Sequence, residues 1–173
     1  MAVDMFMKLD GIEGESNDKT HPKEIDVLAW SWGGSNSGSA HVGGGAGSGK
    51  ANVQDLSFTK YVDASSHALF LNCFTGEHIA EAKLVVRKAG GKGPIEYIKI
   101  TMNEVLVTSI STGGSGGEDR LTENVSLNFA KVKFEYTPQK PNGEADTAKH
   151  VGPPAQPAES DLCGSKAAAP QKV

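Results

Sequence analysis

Residues 95–111 read IEYIKITMNEVLVTSIS, and residues 121–137 read LTENVSLNFAKVKFEYT. Apolar and polar residues alternate along both stretches with a period of two, which is typical of a β-strand with one buried face. In the second stretch the apolar positions change parity between Phe129 and Val132, so we expect a β-bulge near Ala130. Two strands of this length, one of them bulged, favour a closed or nearly closed barrel over a flat sheet.

The alternation also assigns side chains to faces. In the first stretch we expect Ile100, Met102 and Leu106 to point into the core. Val105 and Val107 would then lie on the opposite face. That opposite face also carries polar side chains without charge, contributed by both strands: Thr101, Asn103, Thr122, Asn124, Ser126 and Asn128.

An uncharged polar face is unusual for a solvated strand, which commonly carries Lys and Glu as protection against edge-to-edge pairing. The face therefore indicates a wetted inner surface or a contact between subunits. An ordinary exposed sheet face is the simpler interpretation, and the sequence leaves both open.

Four shorter strands and one helix complete a mainly β fold. The strands are predicted at Val3–Leu9, Ile25–Trp32, Val53–Tyr61 and Ala82–Lys88. Both faces of Ile25–Trp32 carry apolar side chains, so we expect that strand to be covered on both sides. Together these elements predict one domain over residues 1–150, a small two-sheet β-barrel with one α-helix and a long extended loop.

The helix is predicted to begin at Ser65 or Ser66, either of which can cap its N-terminus, and to end at Gly76. Its apolar face consists of Leu69, Phe70, Cys73 and Phe74. On that face Cys73 is expected to be a small buried side chain without reactivity, since no cationic neighbour is evident.

Two segments have too few large apolar residues to bury a core of their own. Residues 33–52 (GGSNSGSAHVGGGAGSGKAN) are rich in Gly and Ser, and we expect a long flexible loop that serves as a contact element. Residues 151–173 are rich in Pro and Ala, and we expect a disordered tail. Because proline cannot donate to a sheet ladder, any closing strand before Pro153 is expected to be short or absent.

Charge and hydropathy exclude several classes of partner. The 173 residues carry a formal net charge of −4 without a basic excess, so neither nucleic acid nor an anionic membrane surface is expected to bind. No stretch reaches the roughly 20 apolar residues of a transmembrane helix, and the N-terminus lacks the pattern of a Sec signal peptide. The chain is therefore expected to be made in the cytoplasm and not to insert into a membrane.

Catalytic and metal sites have little basis in the sequence. Gly44–Lys50 (GGAGSGK) matches part of a phosphate-binding loop, but Ala51 stands where a hydroxyl residue would ligate magnesium, and a strand is predicted to follow. The five histidines are distant from one another in sequence and are expected to have surface or capping roles. The two cysteines form no C-x-x-C pair. We expect no enzyme activity, no cofactor and no metal.

Longer stretches resemble a known family. Residues 1–16 (MAVDMFMKLDGIEGES), 26–32 (DVLAWSW), 53–78 (VQDLSFTKYVDASSHALFLNCFTGEH) and 104–129 (EVLVTSISTGGSGGEDRLTENVSLNF) are similar to Hcp, the hemolysin-coregulated protein of bacterial type VI secretion systems. Hcp forms the tail tube of these systems. The likeness covers residues 2–149 and rests on long, ordered stretches, which are far more specific than the short motifs above.

The resemblance implies a homohexameric ring of β-barrel subunits, each with its helix on the outside, and rings that stack into a hollow tube. This tube is propelled out of the cell and shed, so the chain would reach the extracellular space or a target cell without a Sec signal. The family also implies partners: effector proteins carried in the channel, and the spike and sheath proteins of the secretion apparatus.

Within this resemblance, side chains are assigned to two surfaces. Ser31 has the opposite parity to Trp30 and Trp32, and we predict that it lines the channel together with Thr101 and Asn103. The residues predicted for contacts between stacked rings belong to the long loop: Ser35, Ser37, His41, Val42 and Lys50. An alternative function is a specialised secreted effector of the same family whose C-terminal tail carries an activity or binds cargo.

Overall fold

The computed structural model describes residues 3–36, 51–88, 93–117 and 119–152, and within them it is mainly β with a single α-helix. The elements, in chain order, are β1 (Val3–Leu9), β2 (Ile25–Ser31), β3 (Gly34–Asn36), β4 (Ala51–Val53), β5 (Leu56–Tyr61), α1 (Ser66–Thr75), β6 (His78–Lys88), β7 (Ile95–Gly113), β8 (Thr122–Tyr136) and β9 (Lys149–Val151).

Six strands form a closed antiparallel barrel. They lie in the order β5-β2-β1-β6-β7-β8, and β5 pairs with β8 to complete the circle. The short strand β9 pairs with the C-terminal end of β8, away from the residues of β8 that pair with β5. Strands β3 and β4 pair with each other as a separate two-stranded sheet. The prediction of a small β-barrel with one helix is confirmed, and so is the prediction that the closing strand is short.

Apolar side chains from all six barrel strands and from α1 fill the barrel. The members of this core that are fully inaccessible to solvent are Met7, Ile25, Leu56, Leu69, Ala82, Leu84, Ile100, Met102, Val105 and Leu127. Burial of each large side chain stabilises the fold by about 1.5–3 kcal/mol, so the barrel is held chiefly by this common core.

The two long strands change face together. In β7 the buried side chains are Ile100 and Met102, then Val105 and Val107, so the expectation that Leu106 points into the core and the valines away from it is wrong. Glu104 interrupts the alternation, because its φ of 53° lies in the left-handed region.

Strand β8 changes face at the same level, where both Phe129 and Val132 pack on the core. Since both partners change face together, their register stays constant there. The register shift that was expected near Ala130 lies instead between Val107 and Ser109.

Strand β2 is also irregular. Val27 pairs with Lys60 and Ala29 pairs with Thr59, so Leu28 forms a bulge and is 39% exposed. The expectation that this strand is covered on both faces is therefore wrong for the single chain.

Helix α1 ends at Gly76 as predicted, with φ of 71°, but its first turn differs from the prediction. The side chain of Ser65 makes no capping hydrogen bond. Instead, the Asp63 carboxylate accepts the backbone N–H of Ser65 at 2.9 Å, and the hydroxyl of Ser66 accepts the N–H of Asp63 at 3.1 Å.

The apolar face of α1 is narrower than predicted. Leu69 is buried and Cys73 packs beside it, whereas Phe74 is 79% exposed. Leu69 and Cys73 are four residues apart and point the same way, while Phe70 and Phe74 lie about 100° further round the helix.

Two short paired strands form the beginning and the end of the long loop, because β3 pairs with β4 and Ser35 lies opposite Asn52. The other predicted stacking residues, Ser37, His41, Val42 and Lys50, lie outside the described residues, as do the whole of Gly44–Lys50 and the tail from residue 153. Ala51 opens a strand, as the sequence predicted.

Candidate functional site: an uncharged sheet face with two open edges

Four strands present an outward face of uncharged side chains. In the half of the barrel where β5 pairs with β8, the order of neighbours is β2-β5-β8-β7. We call the outward positions at the centre of this sheet the hydroxyl face; its members are Ala29, Ser31, Ser57, Thr59, Ser109, Ser111, Asn124 and Ser126. The residues between them, such as Phe58 and Val125, point into the core and hold the sheet in place.

The strand register aligns the serines of this face in one row. Ser31 lies opposite Ser57, Ser57 opposite Ser126, and Ser126 opposite Ser109. Since neighbouring strands are about 4.8 Å apart, the row of four hydroxyls spans about 14 Å. The next row is formed in the same way by Ala29, Thr59, Asn124 and Ser111.

Hydrogen bonds fix the central side chains of the hydroxyl face. The hydroxyls of Ser57 and Ser126 are 3.0 Å apart, and Thr59 Oγ1 donates to Asn124 Oδ1 at 2.7 Å. Within the described ranges, the side chains of Ser31 and Ser109, at the two margins, form no hydrogen bond. The centre of the face is thus preorganised, while its margins have hydroxyl groups available for a partner.

Charged side chains lie only at the two ends of the hydroxyl face. At one end the Asp55 carboxylate accepts hydrogen bonds from Thr108 Oγ1 and from Asn128 Nδ2, both at 2.7 Å. At the other end the Arg120 guanidinium lies 3.9 Å from the centroid of the Tyr61 ring. Between these ends the outward side chains of the four strands are neutral.

A buried ion cluster anchors this sheet and α1 to each other. Lys60 is fully buried, and its Nζ lies 2.8 Å from Asp63 Oδ1 and 2.9 Å from Glu123 Oε2. Ser66, at the start of α1, donates to the same Glu123 carboxylate at 2.7 Å. Because β5, β8 and the helix all contribute to it, the cluster fixes their relative positions.

Both margins of the hydroxyl face end in open strand edges. β7 pairs with β6 only as far as Leu106, yet continues beside β8 to Gly113. β2 pairs with β1 only at Ile25 and Asp26, yet continues beside β5 to Ser31. No strand within the described ranges pairs with the outer side of these two continuations, so their backbone groups are available to another chain.

The predicted channel residues do not lie together. Ser31 is exposed at the margin of the hydroxyl face. Thr101 instead lies between Lys83 and Lys133, on the half of β7 before the change of face at Glu104. Eight residues of extended strand, about 26 Å, separate Thr101 from Ser109.

Asn103 lies close to Thr101, between Glu81 and Lys131. The polar face inferred from the sequence is therefore two faces in the structure, an uncharged one and a charged one. Sequence reasoning missed Ser57, Thr59 and Ser109 as members of the uncharged face. Their alternation with Leu56, Phe58 and Ile110 was the available signal.

A second polar cluster holds the segment between β1 and β2 against the charged half of the barrel. His21 is only 6% exposed; its Nδ1 lies 3.0 Å from Glu24, its Nε2 lies 3.2 Å from Glu96, and its ring stacks on Phe6 at 4.5 Å. The expectation of a surface or capping role is wrong for this histidine.

Ion pairs strengthen the same segment. Hydrogen bonds from the Arg87 guanidinium, followed by the backbone N–H of Thr20, hold the pKa of Asp18 well below its usual range. Burial of Glu96 opposes its ionisation, but hydrogen bonds and charges of Lys99 and His21 outweigh this effect, so its pKa is also lowered.

Other classes of site find no support in the described part of the chain. Among those residues, no three His, Cys, Asp or Glu side chains are grouped so that they could hold a metal ion. None of the helices in the described ranges has the length and hydropathy needed to span a bilayer.

Comparison with known proteins gives one consistent result. The model of the family described as "Type VI secretion system effector, Hcp" matches residues 6–136. Protein hcp1 of Pseudomonas aeruginosa is 64% identical over 153 residues, which cover 88% of this chain and 92% of that protein.

Solved structures agree in fold. The crystal structure of Hcp1 from Salmonella typhimurium superimposes with a TM-score of 0.71 at 40% identity, covering 88% of this chain and 94% of that one. A type VI secretion system effector from Yersinia pestis gives a TM-score of 0.70 at 36% identity, covering 86% and 98%. The chain belongs to the Hcp family of type VI secretion system proteins.

Proposed function

We propose that this protein is a structural tube subunit of a type VI secretion system. It assembles into homohexameric rings that stack into a secreted tube and carry effector proteins in the channel. One observation supports the proposal beyond family membership. The uncharged sheet face has an open strand edge on each side, and the two edge strands run in opposite directions.

The two open edges are complementary. Strands β2, β5, β8 and β7 alternate in direction, so β2 and β7 run in opposite directions. The outer edge of β7 in one copy therefore meets the outer edge of β2 in the next copy as an antiparallel pair. A contact between two different surfaces of the same chain repeats from copy to copy and closes into a ring when the rotation allows.

Edge pairing extends the hydroxyl face from subunit to subunit and makes it the wall of the channel. Its margins, Ser31 and Ser109, then lie close to the joint between copies. Neutral hydroxyls neither attract nor repel a charged cargo surface strongly, yet they can donate and accept hydrogen bonds. This arrangement favours Ser31 as a channel residue over Thr101 and Asn103, which lie among lysines and glutamates.

The remaining assignments follow from the same function. We propose that residues 1–150 form the assembling domain, that Ser35, Ser37, His41, Val42 and Lys50 contact the next ring, and that spike and sheath proteins are further partners. The role is structural and not enzymatic, and secretion proceeds from the cytoplasm without a Sec signal. Stacking and cargo transport are supported by family membership.

Light scattering coupled to size-exclusion chromatography tests the proposal. The full chain of 18.1 kDa is expected to elute at about six times that mass. A monomer across a broad range of concentrations would contradict both the edge pairing and the tube.

A further inference from the structure

Helix α1 has a second apolar face, which points away from the barrel. Phe74 is 79% exposed and Leu71 is 56% exposed. The ring of Phe70, half-buried, lies 5.8 Å from the ring of Phe74 at an angle of 48°. We call Phe70, Leu71 and Phe74 the helix patch. These residues occupy positions i, i+1 and i+4, so they share one side of the helix.

The helix patch is a rigid surface. Leu69 anchors a different side of α1 in the core, and the cluster of Lys60, Asp63 and Glu123 fixes the start of the helix. Single exposed apolar residues are common on soluble proteins, but two packed aromatic rings beside a leucine on a fixed helix are typical of a protein contact.

The position of α1 identifies the occupant. The helix packs against β7, the strand whose outer edge is open from Val107 to Gly113. A chain that pairs with this edge comes to lie beside α1. The other open edge, on β2, carries an exposed apolar side chain of its own, Leu28. The helix patch is therefore continuous with the surface that pairs copies of this chain.

We propose that the helix patch is the apolar part of the contact between neighbouring subunits of the ring, covered by a second copy of this chain. The inference rests on the proposed function and extends it. Backbone pairing at the β7 edge fixes the direction of the neighbour, and burial of the helix patch supplies the apolar area that strand pairing alone lacks. The helix can still face the outside of the ring, since the neighbouring copy covers only the side that carries the helix patch.

Substitution of Phe74 tests the contact in solution. Phe74→Lys is expected to raise the concentration at which half of the chains are assembled by about tenfold or more, whereas Phe74→Met, which keeps the apolar character, changes it by less than about threefold. Val151→Lys is the matched control, because Val151 is 69% exposed on β9 and distant from both open edges. Assembly of Phe74→Lys at the concentration of the parent chain would overturn the inference.

Thiol protection provides a measurement that needs no disruptive variant. In a chain with Phe74→Cys and Cys163→Ser, we expect maleimide to modify the new thiol about tenfold more slowly in the assembled state than in the dilute monomer. The chain with Cys163→Ser alone gives the background from Cys73. Equal rates in the two states would show that the patch stays open in the ring and would refute this inference alone. A parent chain that never assembles would instead refute the proposed function.

Discussion

Replacement of Lys60 by methionine is expected to destabilise the protein far more than replacement of a surface lysine. Lys60 is fully buried, and its ammonium group is the shared partner of two carboxylates, Asp63 and Glu123, which are 8% and 2% exposed. Methionine preserves the length and packing of the side chain but removes the charge. Two buried carboxylates then face each other without a cation.

The free energy of unfolding is expected to fall by about 3–5 kcal/mol, which is the cost of removing one partner of a buried ion pair, because the remaining charges are left uncompensated. Glu123→Gln is milder, at about 1–2 kcal/mol, since the amide oxygen can still accept from Ser66 and Lys60 keeps Asp63. Lys131→Met serves as the control. Its ion pair with Glu104 is 3.2 Å long but 72% and 61% exposed, so its loss costs less than about 1 kcal/mol.

Urea unfolding followed by circular dichroism measures these differences. All variants are compared at one protein concentration, because assembly adds to the apparent stability. The cluster joins β5, β8 and α1, so Lys60→Met is also expected to weaken assembly. A free energy of unfolding for Lys60→Met within about 1 kcal/mol of that for Lys131→Met would refute the view that this cluster holds the sheet and the helix together.

Three further predictions concern other parts of the barrel. The lowered pKa values of Asp18 and Glu96 mean that both carboxylates stabilise the folded state at pH values above their unfolded-state pKa values of about 3.9 and 4.3, and that this stability is lost as the pH falls below them. Asp18→Asn should therefore flatten the acid side of the stability profile measured by thermal unfolding. An unchanged profile would contradict the role given to Arg87. Gly14→Ala should lower the melting temperature by several degrees, because a Cβ there would lie 2.5 Å from the backbone oxygen of Glu24, whereas Gly116→Ala, with no atom within 4 Å, should leave it unchanged. Ser57→Lys, at the centre of the hydroxyl face, should leave the mass of the ring unchanged but reduce the amount of co-expressed effector protein that copurifies. Thr101→Lys should not reduce that amount. Equal retention of the effector by both variants would show that the hydroxyl face does not line the channel.

The sequence predicted those features that depend on local pattern. Strand β1 was predicted with its observed bounds, and the end of α1 at Gly76 was predicted because glycine tolerates the left-handed conformation found there. The long alternating stretches identified β7 and β8 because a period of two survives over many residues.

Features that depend on a second strand could not be predicted in this way. The change of face at Glu104 is matched across the ladder at Phe129 and Val132, and a single strand shows only one half of such a pair. The row of Ser31, Ser57, Ser126 and Ser109 is likewise a product of register between four strands. His21 was misassigned because Glu96, one of its two carboxylate partners, is 75 residues away in the chain.

Imaging of the purified full chain by electron microscopy, at a resolution that separates strands, tests the central claim most directly. We expect closed rings with a central hole, the hydroxyl face towards that hole, and β7 of each copy beside β2 of the next. Solitary particles, or rings in which Ser57 and Ser126 face outward, would contradict the account.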